Sequence, residues 1–409
     1  MLTLTEWDQS GPLSVTTAQR RVLEDSFSAS FKSCGTGDHV QVTPGSVVGT
    51  VSVGGISIVV RPKIPIDRVL FMTAFTADPY HWDDAWSSIS SVDNLVDGVI
   101  GLFVRACRTV TARGLLRSYR STVSDLRYVK GRVRWPTQAT RQQPIPIAVT
   151  YQVHDDDIVE NQIIRETLKL LRATTSSNPS LALELHSVWL QFRDFAPLPD
   201  ALATLTKLPW TRRNEHYRPV LELARIILEN KLPNIDTGGV PVMGFTLKLP
   251  RVFESFVRAC LRHYSGLSEH EFPDSWSKSL KLDEGNTVSL NPDLGIRVNA
   301  AWKFVGDVKY KRDDGPGKNA DLYQLLAYAT ATQLSSATLI YAHGPSSVRT
   351  HVVRHTDVSI KVRHIELQKP PKDVLGQLQT IALEDLQGVS APKRATRDGS
   401  RNLDRPRIQ

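Results

Sequence analysis

Residues 288–311 read VSLNPDLGIRVNAAWKFVGDVKYK, and the architecture of the C-terminal part of the chain follows from this stretch. Val288, Leu290, Leu294, Ile296 and Val298, then Trp302, Phe304, Val308 and Tyr310, put apolar side chains at even positions. Ser289, Asn291, Asp293, Arg297, Lys303, Asp307, Lys309 and Lys311 take odd positions, with Gly295 and Val305 as exceptions. Side chains alternate faces along a strand, so period two on both sides of Asn299-Ala300-Ala301 predicts a hairpin with one buried face. With the turn centred on Ala300, Asp293 falls opposite Asp307, at a Cβ separation of roughly 4.5–5.5 Å. Lys309, two residues on, projects from the same face as Asp307. A β-bulge in either strand would change this register.

Like charges set opposite each other destabilise a sheet. A divalent cation is the simplest compensation, because Mg²⁺ takes oxygen ligands, commonly from one or two carboxylates, and keeps waters and phosphate oxygens in its shell. A lysine beside such an ion orients a water or stabilises charge on a transferring phosphoryl group. Asp293 and Asp307 are therefore candidate metal ligands, and with Lys309 they suit phosphodiester hydrolysis. The same spacing fits two turn-proximal aspartates on a solvated face, with Lys309 as a surface ion pair. Gln324 and Tyr328, in DLYQLLAYA, share a helix face four residues apart, with Asp321 one turn earlier. They suit phosphate binding or positioning of Lys309; Tyr328 also fits an amphipathic core. Glu254, in PRVFESFVRACL, is either a carboxylate that reaches the metal or a polar surface group.

Outward from the hairpin, the patterning predicts a helix over 250–264, one over 320–333, and strands over 337–342, 350–355 and 359–367. That order reads as a mixed α/β domain over 241–385. At the other end, HVQVTPGSVVGTVSVGGISIVVRPKI (39–64) reads as short strands, with Gly54-Gly55 as a two-residue hairpin turn. With a helix over 16–29 it makes a small β-rich domain, residues 1–65. Residues 66–240 read as helix-rich. Leu95, Val99, Phe103, Cys107 and Val110 recur at helical spacing, and 157–173 and 215–231 repeat the pattern, with PIAVTYQV as an intervening strand. The fold class is thus mixed α/β and multidomain. Residues 386–409 read as a basic, disordered tail.

Composition bounds the function. The 409 residues carry 50 Lys+Arg against 42 Asp+Glu, a net charge of +8, and a hydrophobic share of 41% excludes wholesale disorder. Three scattered cysteines exclude a disulfide scaffold and fit a reducing, cytoplasmic compartment. No apolar run is long enough for a membrane helix, and the N-terminus has no basic signal-peptide start. Residues 105–134 hold nine bases against one acid, and the last 19 residues six against two, so the rest of the chain is slightly acidic. Arg113, Arg117, Arg120, Lys130 and Arg132 are candidate DNA contacts, or else a solvated face. A GxxxxGK[ST] phosphate loop is absent from the sequence, so the chain is not expected to bind GTP itself.

Pro292-Asp293, followed by Asp307-Val308-Lys309, resembles the PD-(D/E)xK nuclease signature, and Gln324 to Tyr328 fits the QxxxY element of some of its branches. More narrowly, VGDVKYK followed by DLYQLLAYA resembles the McrC family, the nuclease subunit of McrBC-type modification-dependent restriction systems. ARGLLRSYRSTVSDLRYVKGRV (112–133), DIVENQIIRETL (157–168) and LPRVFESFVRACL (249–261) support the likeness, which spans most of the chain except the tail. The resemblance implies a C-terminal nuclease domain that cuts double-stranded DNA carrying modified cytosine, using Mg²⁺. It implies a partner, an McrB-like hexameric AAA+ GTPase, that binds the GTP, reads the modified base and is stimulated by the N-terminal part of this subunit. By position it makes Asp293 and Asp307 metal ligands and Lys309 the catalytic lysine, with Gln324, Tyr328 and Glu254 as accessory groups. A different reading is a non-catalytic adaptor that activates the motor and retains a vestigial nuclease fold; the intact Asp293, Asp307 and Lys309 speak against such decay.

Overall fold

A computed structural model describes residues 1–34, 39–87, 92, 94–174, 178–232, 242–276, 280–313, 317–345, 347–386 and 389. The chain divides into two compact units: residues 1–256 with 367–371, and residues 257–366 with the described residues from 372 onward. The basic tail expected from 386 lies almost wholly outside the described residues.

The first unit opens with strands β1 (Leu2–Thr5) and β2 (Leu13–Ser14), helix α1 (Thr17–Phe27), and strands β3 (Ser30–Ser33), β4 (His39–Thr43), β5 (Val47–Val53) and β6 (Ile56–Arg61). Thr16 starts α1 with a capping box, exchanging hydrogen bonds with Gln19. Gly54 and Gly55 turn the β5–β6 hairpin at φ of 56° and 77°, a left-handed pair that glycine adopts without strain. Next come α2 (Ile66–Ala77), α3 (Trp82–Ser87), α4 (Leu95–Arg113), β7 (Ser118–Leu126), β8 (Arg132–Val133), α5 (Trp135–Gln138) and β9 (Ile147–Asp155). Helices α6 (Val159–Arg172), α7 (Pro179–Phe192), α8 (Ala201–Leu205) and α9 (Arg218–Glu229) lead to strand β10 (Val242–Lys248) and helix α10 (Leu249–Ser265), whose residues from Val257 onward belong to the second unit. The face of α4 expected to be buried is buried: Leu95, Val99, Phe103, Cys107 and Val110 are each under 5% exposed.

Two features depart from the sequence reading. Strand β10 pairs antiparallel with β5 and closes the sheet β1-β6-β5-β10, so residues 242–248 belong to the first unit rather than to the C-terminal domain. The helix-rich middle also holds an antiparallel sheet, β7-β9-β8, of which only β9 was foreseen. Strand β7, SYRSTVSDL, has polar residues on both faces and none of its residues is buried, so it carries no amphipathic signal.

The second unit is built on β11 (Leu294–Val298), β12 (Ala301–Arg312), α11 (Asn319–Thr332), β13 (Ser336–His343), β14 (Arg349–Val352), β15 (Ser359–His364) and α12 (Pro371–Asp385). Its sheet runs β11-β12-β13-β15-β14, with β12, β13 and β15 parallel and both edge strands antiparallel. Helix α11 makes the crossover between β12 and β13, and its Leu325, Tyr328 and Ala329 pack on Val305, Leu339, Tyr341, Ile360 and Val362. The hairpin expectation of one buried face is corrected here. Residues 304–308 of β12 are all buried, because a central strand of a mixed sheet is covered on both faces.

The hairpin turn is also tighter than expected. Val298 pairs with Ala301 across a two-residue Asn299-Ala300 turn, at φ of 51° and 64°. A register shift between Ile296 and Arg297 then moves the pairing by one residue, so Leu294 opposes Gly306. Turn and bulge offset each other, and the register beside the site is the one reached by centring the turn on Ala300.

Candidate active site

The ladder of β11 ends at Leu294 opposite Gly306, which brings Asp293, one residue before the strand, alongside Asp307. The backbone N–H of Val308 donates to Oδ2 of Asp293 at 3.0 Å. Asp307 is 1% exposed, and Lys309 forms an ion pair with its Oδ2. The three residues expected to converge do so. They lie on the sheet face that α11 covers, since Val305, Asp307 and Lys309 alternate along β12.

Burial raises the Asp293 carboxyl, the neighbouring Asp307 charge raises it further, and the result is a value pushed up to about 7. The Val308 N–H and Lys309 pull the other way without prevailing. Burial opposes the charge on Lys309, yet Asp307, then Asp293 and Asp321, outweigh it and hold the ammonium above its ordinary value. The Asp293 carboxyl therefore takes up a proton near neutrality.

From α11, Gln324 Nε2 donates to the Tyr328 hydroxyl at 2.7 Å, and that hydroxyl donates to the backbone carbonyl of Asn291 at 3.3 Å. Burial and the Asp307 charge push the Tyr328 phenol up to about 12, so it remains a neutral donor. Tyr328 is thus both a core aromatic and a prop for the loop that leads into Asp293. Asp321 accepts from Lys311 Nζ at 2.9 Å and from the Tyr341 hydroxyl at 2.5 Å, which anchors the start of α11.

Sequence reasoning missed the groups that hold residues 291–295. Arg258 of α10, 2% exposed, donates from Nε (3.1 Å) and Nη2 (2.9 Å) to the carbonyl of Asp293. Trp276 donates its backbone N–H to Asn291 Oδ1 (3.1 Å) and its indole N–H to the Gly295 carbonyl (2.9 Å). A signal for Arg258 was present: it is a charged residue on the apolar stripe of α10 formed by Phe253, Phe256, Val257, Cys260 and Leu261.

Glu254 belongs to the first unit, where its carboxylate accepts from Arg251 Nη1 at 3.0 Å. Arg113 ends α4, and Arg117, Lys130 and Arg132 are exposed beside the β7-β9-β8 sheet, with the Lys130 ammonium 4.4 Å from the Tyr151 ring centroid. Arg120 is not a free cation; it pairs with Asp155 at 3.0 Å and Asp157 at 3.4 Å.

Two carboxylates on one buried face, Asp293 and Asp307, suit a hard cation of the Mg²⁺ kind, and the Lys309 ammonium already meets Asp307 Oδ2 there. Among the described residues no cluster of three or more His, Cys, Asp or Glu forms, so two carboxylates are the side-chain ligands available at this face. No helix of the described residues is long and apolar enough to cross a membrane.

The chain is similar in fold to a chain in the refined half-complex from the tetradecameric assembly of Thermococcus gammatolerans McrB AAA+ hexamers with bound McrC. That match covers 93% of this chain and 99% of the other, with a TM-score of 0.52 and 15% identity. A chain of the cryo-EM structure of the Thermococcus gammatolerans McrBC complex matches over 64% of this chain and 87% of its own length, with a TM-score of 0.43 and 17% identity. Comparison with curated proteins finds no match. The family model for the McrBC 5-methylcytosine restriction system component matches residues 42–342, most of the chain, and the protein belongs to that family.

Proposed function

We propose that the chain is the nuclease subunit of a modification-dependent restriction complex, a Mg²⁺-dependent endonuclease of the PD-(D/E)xK type acting on DNA that carries 5-methylcytosine. The observation that carries this reading is the convergence of Asp293, Asp307 and Lys309, with Asp307 buried and its Oδ2 paired with the Lys309 ammonium. Family membership supports it, because a restriction component needs a phosphodiester-cleaving centre somewhere in the complex.

Asp293 and Asp307 would hold the Mg²⁺ ion, which when bound neutralises charge building on the scissile phosphate. Lys309 keeps its proton and supplies a fixed positive charge beside that phosphate, where it stabilises the oxyanion or orients the attacking water. Tyr328 and Gln324 act through the backbone at Asn291, keeping the Asp293 loop in place. Exposed Arg113, Arg117, Lys130 and Arg132 offer positive charge to a polyanion, whereas the charge of Arg120 is already spent on Asp155 and Asp157.

The partner in this reading is an McrB-like AAA+ GTPase hexamer that binds GTP and reads the modified base, in a cytoplasmic complex defending against foreign DNA. The half-complex to which the chain is similar in fold contains McrB AAA+ hexamers with bound McrC. Reconstitution tests the reading: the chain is mixed with that GTPase, methylated DNA, GTP and Mg²⁺. Cleavage together with faster GTP turnover is expected. Faster turnover with no cleavage under any divalent cation would leave the chain as an adaptor with a vestigial nuclease fold.

A further inference from the structure

Resting on the metal-site reading above, we infer that Arg258 is the positioning residue that makes Asp293 a metal ligand: its guanidinium, clamped on the Asp293 carbonyl, fixes the turn from which that carboxylate reaches Asp307.

The need for such a group follows from topology. Strand β11 is an edge strand whose ladder begins at Leu294, so Asp293 lies just outside it. A carbonyl in that position, facing the interior, requires a donor from elsewhere. Arg258 supplies both Nε and Nη2 to the Asp293 carbonyl oxygen, at 3.1 and 2.9 Å. A charge-assisted fork of this kind sets direction as well as distance. The other end of the same residue is fixed by Val308 N–H to Oδ2. Main chain and side chain of Asp293 are thus each held by a separate donor, which restricts the carboxylate from swinging away from the charge it faces.

The clamp is itself supported. Nη1 of Arg258 lies 3.6 Å from Asp274 Oδ1, which Arg262, one turn along α10, also meets at 3.0 Å, while Arg262 pairs with Glu269 at 3.2 Å. A buried arginine is costly unless its donors are used. At 2% exposure Arg258 is retained on the apolar stripe of a helix where a leucine would pack with less penalty. The pattern matches the outer-shell groups that orient metal ligands, whose loss typically weakens metal affinity by roughly 10–100-fold.

The test is Mn²⁺ binding to the full chain, followed by electron paramagnetic resonance of the free ion, for wild type, Arg258→Lys, Arg258→Met and Asp293→Asn. Folding of each is checked by circular dichroism. Lysine keeps one charged donor and methionine none, so a graded loss is expected: roughly tenfold or more for the methionine variant and a smaller loss for the lysine variant. Asp293→Asn tests the underlying reading separately, and is expected to abolish measurable binding. If Asp293→Asn loses the ion while Arg258→Met binds it as tightly as wild type, the positioning role is overturned and the metal site stands. If the methionine variant does not fold, wild-type affinity in Arg258→Lys overturns the proposal instead. Unchanged binding in Asp293→Asn overturns the metal site, and the inference with it.

Discussion

The backbone N–H of Val308 hydrogen-bonds to Oδ2 of Asp293 at 3.0 Å, tying a carboxylate outside one strand to the residue between Asp307 and Lys309 on the next. This bond sets the acidic pair face to face and makes its repulsion part of the folded state.

A pH dependence of stability follows. Folding raises the Asp293 carboxyl from an ordinary value of 3.8 to about 7, so between these values the folded state binds more protons than the unfolded one. The stability contributed by this group is therefore full below pH 4 and falls as pH rises toward 7. Without divalent cation, Asp293→Asn is expected to be more stable than wild type at pH 8, by about 1–3 kcal/mol, with the difference vanishing near pH 4. Thermal melts at both pH values check this. A variant less stable than wild type at pH 8 would contradict it.

Cation and proton compete for the same oxygens, so the affinity for Mg²⁺ is expected to rise with pH up to about 7 and then level off. Calorimetric titration between pH 5.5 and 8.5 reads this directly. Affinity flat across that range would mean that the acidic pair does not bind the ion.

Gly295 is a second point of stress. A Cβ there would lie 2.5 Å from both Cδ1 and Nε1 of the Trp276 indole, which donates to the carbonyl of this same residue. Gly295→Ala should displace the indole and cost about 1–3 kcal/mol through overpacking. A shift in tryptophan fluorescence and a lowered melting temperature are the expected signs; an unchanged melt would show that the indole moves freely.

Asp385, at the end of α12, accepts from Arg363 Nε and Nη2 at 2.8 and 2.7 Å, from Lys361 at 2.9 Å and from Thr338 at 3.1 Å. Burial works against its charge, but Arg363 and Lys361 hold the carboxyl below its ordinary value. Its contribution to stability is thus present above the unfolded carboxylate range and lost as pH falls below it. Asp385→Ala removes the acceptor shared by Arg363, Lys361 and Thr338, leaves Arg363 with Glu384 as its partner, and should cost about 2–3 kcal/mol, read by urea unfolding at pH 7. A cost under about 1 kcal/mol would reduce the cluster to a surface ion pair.

The basic segment separates by partner. Arg117→Glu should weaken binding to duplex DNA and lower the salt dependence of the affinity, by about one unit of slope per lost phosphate contact. Arg120→Ala should leave DNA affinity nearly unchanged, because Asp155 and Asp157 already neutralise Arg120. Equal effects from both would show that the ion pairs open on binding.

Much of the site was legible because it lies in a single hairpin, where period two and simple opposition place Asp293, Asp307 and Lys309. The route was not legible: a two-residue turn and a compensating bulge lead to the register that a wider turn would also give. Long-range pairings escaped for a physical reason. β10 joins β5 from nearly 200 residues away, and nothing local in VMGFTLK encodes its partner. Arg258 was readable as an anomaly on an apolar helix face, but its acceptor is a backbone carbonyl, and sequence carries no mark of which carbonyls are left unpaired.

Asp293, Asp307 and Lys309 form the proposed cutting centre. The most direct measurement compares wild type with Asp307→Ala in the reconstituted complex, following cleavage of methylated DNA and GTP turnover in the same tubes. The expected result is loss of cleavage by a factor on the order of 1,000 or more with GTP turnover unchanged, as for removal of a group that stabilises the transition state directly. Cleavage by the Asp307→Ala complex at the wild-type rate would place the chemistry elsewhere.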